Sequence, residues 1–307
     1  MISILHKQIL AKKIRGNQSG IALILVLWVT VLLTVIASSF ALSARTEGTQ
    51  AKMVFETTKA RYLAEAGLHR AVYELRNPDQ ETRWVADGRK YQMQFAEAEI
   101  EIAITDETGK ININLASDEL LVGLFASLGM NDDDALMLTE RVIDWRDADN
   151  IKGFNGAEDD DYEAEGYAYG AKDALFDTVP ELQQVMGIDY EMYRKLEPAV
   201  TVYSGSRNIN VAYAPEQALM ALEGVGKEDA LQFIEDRELV QGVGGDLPIL
   251  SNGQTGVARA GGTSFSIKAK ATLSNGHWAE IDATIKLGGT VNGRPFRIVR
   301  WRDNEHI

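Results

Sequence analysis

The chain is 307 residues long, 45% apolar and 8% aromatic, with 45 acidic against 31 basic side chains and a net charge of −14. That is the composition of a folded protein, and disorder is not the default for it. The absence of cysteine excludes disulfide frameworks, thiolate metal sites and cysteine nucleophiles, and the four histidines, His6, His69, His277 and His306, form no cluster.

Behind Lys12, Lys13 and Arg15 comes Ser19-Gly20, then 24 residues from Ile21 to Ala44 without a charge. As a helix this run is about 36 Å long, enough to cross a hydrocarbon core of about 30 Å with some tilt. A secretory signal carries its small-residue cleavage site after the apolar region. Here the glycine precedes it, so a cut at Gly20 would remove the leader and keep the apolar run. An uncleaved anchor is the other reading. Cationic residues ahead of the segment predict a cytoplasmic N-terminus, which puts everything after Arg45 across the membrane, in a bacterium the periplasm.

From Thr46 to Leu75 the pattern turns amphipathic, with Phe55, Tyr62, Leu63, Ala66, Val72 and Leu75 recurring at helical spacing. No proline intervenes before Pro78, so Ile21 to Arg76 is predicted as one helix of about 84 Å, half in lipid and half lying on a domain through its apolar stripe. A break between Ser43 and Gly48 would split it instead. Lys90 to Thr105 alternates and reads as strand with a turn near Glu97. Asp106-Glu107-Thr108-Gly109 then opens a long helical region that closes near Gly261-Gly262. Ser264 to Leu273 and His277 to Leu287 form a predicted hairpin about Ser274-Asn275-Gly276, and a last strand, Phe296 to Trp301, follows the turn Asn292-Gly293-Arg294-Pro295.

Charge separates the helical region from the rest. Asp106 to Arg259 holds 31 acidic and 11 basic residues, a net of −20, while the remainder is net +6. Such a module has no basic footprint for nucleic acid and suits cations or basic partners. It also carries a weak internal repeat: Asn112-Ile113-Asn114-Leu115-Ala116 followed by Leu124 to Gly129 and Asp134-Ala135 is echoed by Asn208-Ile209-Asn210-Val211-Ala212, Leu222 to Gly226 and Asp229-Ala230, each an extended segment feeding two helices.

The strongest chemical signal is Asp144-Trp145-Arg146-Asp147-Ala148-Asp149 followed by Glu158-Asp159-Asp160-Asp161-Tyr162-Glu163-Ala164-Glu165, nine carboxylates in 22 residues. Asp144 and Asp147 fall where a helix ends, at the negative end of its dipole, and a bound cation would reverse that penalty. Calcium accepts such an all-oxygen set. Ile151 and Lys152 stand where an EF-hand needs a ligand and its glycine, so an irregular loop through Gly153, Gly156, Gly166 and Gly170 is the alternative wrapping. A solvated acidic loop without metal is the competing reading, opposed by its aromatic content of Trp145, Phe154, Tyr162, Tyr167, Tyr169 and Phe176.

Leu219 to Ala230, with Gly224-Val225-Gly226, resembles a helix-hairpin-helix, whose amides can hold a DNA phosphate. Lys227 is its one nearby cation, among Glu223, Glu228 and Asp229, which favours a structural hairpin. No Ser/His/Asp arrangement, zinc-binding spacing or phosphate-binding glycine loop is present, so no enzyme is predicted.

The leader ending in Gly20, the run Ile21-Ala22-Leu23-Ile24-Leu25-Val26-Leu27-Trp28-Val29, the extension with Ala64-Glu65-Ala66-Gly67, the Asp144 to Asp149 and Gly156 to Asp159 motifs, and Phe176-Asp177-Thr178 with Glu181-Leu182 resemble the K-type minor pseudopilins of bacterial type II secretion, over nearly the whole chain. The resemblance implies an α+β, pilin-like fold, its long N-terminal transmembrane helix packed on an antiparallel sheet, with a large inserted all-α domain. Its parts would be a prepilin leader (1–20), the transmembrane half of the helix (21–44), the amphipathic half and first strands (45–105), the acidic calcium-binding insert (106–260) and the returning strands (261–307).

It further implies cleavage by a prepilin peptidase between Gly20 and Ile21, N-methylation of Ile21, and a single pass through the inner membrane with the C-terminal domain in the periplasm. Partners would be I- and J-type minor pseudopilins, the major pseudopilin and membrane lipid, at the tip of a pseudopilus that exports folded proteins. One or two Ca2+ ions would bind through Asp147, Asp149, Glu158 and Asp159, with Asp144 and Asp161 as further candidates. Most pilin-like subunits carry a glutamate five residues after the cleavage glycine to pair with a neighbouring N-terminal amine; here Leu25 stands in that place, which fits a subunit that starts a stack. A minor pilin of a type IV pilus, a membrane-anchored DNA-uptake receptor and a calcium-dependent hydrolase are the alternatives.

Overall fold

The structure is a computed structural model in which residues 19–240, 242–243, 245–256, 261–291 and 294–305 are described. The basic leader and the predicted turn residues Asn292 and Gly293 lie outside that set. Two compact units divide the chain at Glu56. In the first, helix α1 (Ser19–Leu75) runs from its start with its apolar side chains from Ile21 to Leu42 exposed. By length and hydropathy it can cross a membrane. Gly48 does not interrupt it, since a single glycine costs a helix only about 1 kcal/mol.

The second unit holds the C-terminal part of α1 and everything after it. Five strands, β1 (Asp87–Phe95), β2 (Ala98–Asp106), β5 (Ser264–Leu273), β6 (Trp278–Val291) and β7 (Arg294–Glu305), form an antiparallel sheet in the order β1-β2-β5-β6-β7. Alternation sets its faces: Ile100, Ile102, Ile104, Ile267, Ala269, Ile281, Ala283 and Ile285 form one core with Ala60, Ala64, Leu68 and Val72 of α1. Close approach there depends on Gly67, because a Cβ at that position would lie 2.8 Å from Cγ2 of Ile100. The β1–β2 turn falls at Ala96, in the left-handed region at φ 51°, next to the Glu97 expected from sequence.

Between β2 and its neighbour β5 lies the helical region. Helices α2 (Asp118–Ala126), α3 (Asp132–Arg146), α4 (Asp159–Ala164), α5 (Tyr190–Leu196), α6 (Glu216–Met220) and α7 (Lys227–Glu238) surround a second core that includes Leu121, Phe125, Leu138, Trp145, Tyr162, Leu196, Leu219 and Phe233. Two residues of β3 (Ile111–Asn112) pair in parallel with β4 (Val200–Thr201), a pairing too short for periodicity to announce. Where the chain leaves and re-enters the sheet, fully buried Asp106 accepts the Gly262 amide at 2.7 Å. Glu107 beside it accepts from the hydroxyls of Thr201 and Ser266 and pairs with Lys110, so the exit and return strands are tied by carboxylates whose acceptor capacity is used.

The internal repeat is present in a register two residues away from the one the amino-acid sequence suggests. Asn112 Oδ1 accepts the amide of Asn114 and its carbonyl those of Leu115 and Ala116; the residue that repeats this turn is Asn210, whose Oδ1 accepts from Ala212 and whose carbonyl accepts from Tyr213. Arg146 donates to the carbonyls of Ile113 and Ala116, and Arg237 to those of Val211 and Ala214. The identical Asn-Ile-Asn letters at 208–210 misalign the copies because the turn needs its asparagine two residues before the amide it holds, and Asn210 satisfies that where Asn208 does not. Each arginine closes one copy, and Arg237, 1% exposed, also reaches the Asp87 carbonyl of β1 and lies 3.6 Å from the carboxylate that Arg89 holds.

Candidate functional site

Helix α3 starts on an Asn131 cap with Asp132, Asp133 and Asp134 in its first turn and ends at Arg146, so Asp144 and Asp147 lie at its carboxyl end as expected. The loop that follows folds back over Asp144. Gly153 donates its amide to both oxygens, at 3.3 and 3.1 Å, and Gly156 packs so closely that a Cβ would stand 1.8 Å from Oδ2. Glu140, one turn earlier, accepts the Asn155 amide. Trp145 goes inward to meet Tyr162, Phe176 and Tyr169, which explains why so acidic a segment is ordered at all.

Glu158, which caps α4, is 6% exposed, and neither of its carboxylate oxygens has a hydrogen-bond partner. One buried oxygen of Asp147 and one of Asp173 are likewise unpartnered. Burial first, and then the like charges of Asp144, Asp173, Asp147 and Asp159, push Glu158 up from 4.5 to about 7. Asp147 is raised by burial and by Asp149, Asp144 and Asp173; Asp144 is raised by burial, against the amides of Gly153 and Ala157. Buried carboxylate oxygens without donors, repelling one another, are costly unless a cation meets them. Their hard oxygen chemistry fits calcium. Among the described residues they do not already form a closed three-ligand cage.

Of the six sequence candidates, Asp144, Asp147 and Glu158 are thus the ones brought into mutual repulsion with unpaired or loop-bound oxygens. Asp149 and Asp159 lie at the rim: Asp149 accepts the Ile151 amide at 2.9 Å, and exposed Asp159 packs on Gly170, where a Cβ would meet its Oδ1 at 1.7 Å. Asp161 is otherwise engaged. Lys152 donates to it at 2.6 Å, which holds its carboxyl below the usual range, and its other oxygen accepts the Glu158 amide. Asp173, in the plain run Ala171-Lys172-Asp173-Ala174, carried no sequence signal for its part.

The helix-hairpin-helix reading fares differently. In the α6–α7 turn the Gly226 amide, one of those that would have to face a phosphate, already donates to the Asp229 carboxylate at 3.3 Å, and Lys227 pairs with Glu216. Gly20, Ile21 and Leu25 all lie in α1, the last two exposed.

An N-terminal helix long and apolar enough to cross a membrane, together with an antiparallel sheet that carries a helical region between two neighbouring strands, defines the class: an α+β, pilin-like fold. A family profile described as type II secretion system protein K matches residues 102–205. Protein K of Klebsiella pneumoniae is 27% identical over 73% of this chain and 75% of its own length, and protein K of Pseudomonas aeruginosa 27% over 73% of each. That of Pectobacterium carotovorum is 42% identical over 28% of the chain. The crystal structure of the GspK–GspI–GspJ complex of the enterotoxigenic Escherichia coli type 2 secretion system contains a chain with the same fold, at a TM-score of 0.56 and 18% identity, covering 86% of this chain and 99% of that one. The chain is thus similar to type II secretion system protein K over most of its length, and this similarity supports the role of a minor pseudopilin. The family is a structural component of the secretion machinery.

Proposed function

We propose that this minor pseudopilin sits at the tip of the pseudopilus, joins I- and J-type subunits and the major pseudopilin below them, and keeps its helical insert in working shape by binding calcium. Its task is assembly and not catalysis. On this reading a prepilin peptidase cuts between Gly20 and Ile21, α1 anchors the chain in the inner membrane, and the folded region stands in the periplasm. Leu25 supports the tip position: with no carboxylate there, the helix lacks the charge that would register it against an amine inside a hydrocarbon environment. Naming of I and J subunits with a K chain in the structural relative supports the partners.

The observation that carries the metal half is Glu158, buried with both oxygens unpartnered among Asp144, Asp147 and Asp173. Calcium would be held by Asp144, Asp147 and Glu158, with Asp149 and Asp159 at the rim and Asp161 fixing the helix start beside them. Bound there, it supplies positive charge that ties the end of α3 to the start of α4.

Mixing the full-length chain with I- and J-type subunits, with calcium or with a chelator, tests both halves. A ternary complex that forms with calcium and weakens on chelation is expected. A complex indifferent to calcium removes the ion from the assembly role, and failure to form any complex removes the partners.

A further inference from the structure

We propose that Phe154, with Ile151 close by it in the chain, anchors a docking surface for a protein partner that offers an apolar pocket ringed by lysine or arginine side chains. Phe154 is 94% exposed, the most open large apolar side chain among the described residues, and Ile151 is 77% exposed. Single apolar side chains at a surface need no explanation. These two differ because the backbone under them is fixed. Gly156 donates its amide to the Gly153 carbonyl at 3.1 Å, closing a turn with Phe154 and Asn155 at its central positions. Both corners of that turn lie on Asp144 of α3: Gly153 donates to it at 3.3 and 3.1 Å, and a Cβ on Gly156 would stand 1.8 Å from its Oδ2. The chain around Phe154 is held at each step, by Asp149 at the Ile151 amide, by the pairing of Lys152 with Asp161, and by Glu140 at the Asn155 amide. The turn thus sets its glycines against the helix and leaves its one aromatic ring in water.

A partner that buries this ring gains apolar contact without the entropy cost of ordering the loop, because the hydrogen bonds beneath it have already done so. Aromatic anchors seated in a partner's pocket are the side chains that dominate protein interfaces. Charge identifies the rim of that pocket. Between Asp144 and Glu165 nine carboxylates stand against Arg146 and Lys152, so the field around Phe154 attracts a cationic protein surface and repels anionic lipid headgroups. None of the contacts that brace the turn involves an ion, so the surface does not depend on the calcium reading.

The test puts the photoreactive amino acid p-benzoylphenylalanine in place of Phe154 in the full-length chain in its native host and, in separate cells, in place of Tyr190, an exposed aromatic of α5, as the control. A protein adduct is expected at 154 and not at 190, with the cross-linked peptide mapping to an apolar pocket flanked by lysine or arginine. In parallel, Phe154→Asp is expected to lower export of folded proteins by about tenfold or more, within the roughly thirtyfold that loss of a buried aromatic anchor costs in affinity, while Phe154→Leu keeps most of it. Melting temperature and calcium response should stay those of wild type in both variants, since the ring lies outside the core. Adducts to lipid, adducts to an acidic or wholly polar surface, no adduct at 154 beyond that at 190, or wild-type export by Phe154→Asp overturns the proposal. If the wild-type chain proves dispensable for export, the assembly role proposed above fails, and the cross-link at 154 still decides this surface.

Discussion

Replacing Glu158 by glutamine should stabilise the metal-free protein and abolish its response to calcium, two effects of opposite sign from one atom change. The folded-state pKa of Glu158 is raised from 4.5 to about 7. For a raised carboxylate the unfolded chain binds fewer protons across that window, so the penalty is absent below about 4.5, grows as pH rises and is complete above about 7. At about 1.36 kcal/mol per pH unit that difference is worth about 3.4 kcal/mol, and screening by water and shared neighbours leaves about 1.5 kcal/mol. In a folded region of this size that is about 3–6 °C in melting temperature. The chain from Thr57 forms a compact unit of its own, so its thermal unfolding at pH 8, with calcium and with a chelator, is a suitable assay. Wild type should melt higher with calcium, and in chelator it should gain stability as pH is lowered from 8 towards 5. The glutamine variant should melt above wild type in chelator, gain less on acidification and gain little from calcium. Lower stability in chelator together with an intact calcium response would refute the reasoning, because the carboxylate would then be favourably placed without a metal.

Three further outcomes follow from the packing. Arg237→Met removes donors to the carbonyls of Val211, Ala214 and Asp87 and a cation beside the buried Asp87 carboxylate; a loss of about 3 kcal/mol in urea unfolding is expected, and a change under 1 kcal/mol would show the Arg89 pair suffices. Gly67→Val forces a side chain into Ile100 and Ala269, so a loss of about 1–3 kcal/mol should appear, while Gly48→Val, with nothing within 4 Å, should cost nothing. Mass spectrometry of the chain from its native host should find Ile21 as the first residue, carrying a methyl group; retention of Met1 in working machinery would remove the processing step.

Much of the fold was legible because its signals are local. Alternation announced the strands between Lys90 and Thr105, the Ser274-Asn275-Gly276 turn announced the β5–β6 hairpin, and the absence of proline from Ile21 to Arg76 placed α1 to within two residues at its start and one at its end. What sequence could not supply is long-range. Pairing of β2 with β5 across the whole helical region is decided by burial of Ile100, Ile102 and Ile104 against α1, and the short β3–β4 pairing depends on where α5 delivers Val200.

The acidic centre divides the same way. Its carboxylates were conspicuous as letters, yet nine of them in 22 residues say nothing of which oxygens lose their donors on folding. Lys152, six residues past the end of α3, selects Asp161 and takes it out of the repulsive set, while Gly153 and Gly156 select Asp144 by letting the backbone lie against it. Asp173 lies in a segment with no acidic run, close in sequence to Phe176, whose backbone Asn114 of the first copy of the repeat holds at both its amide and its carbonyl. The counterpart of Asn114 in the second copy is Ala212, which has no side chain to hold a second such loop. The copy built on Asn112 carries the acidic centre, and the copy built on Asn210 is held to β1 by Arg237.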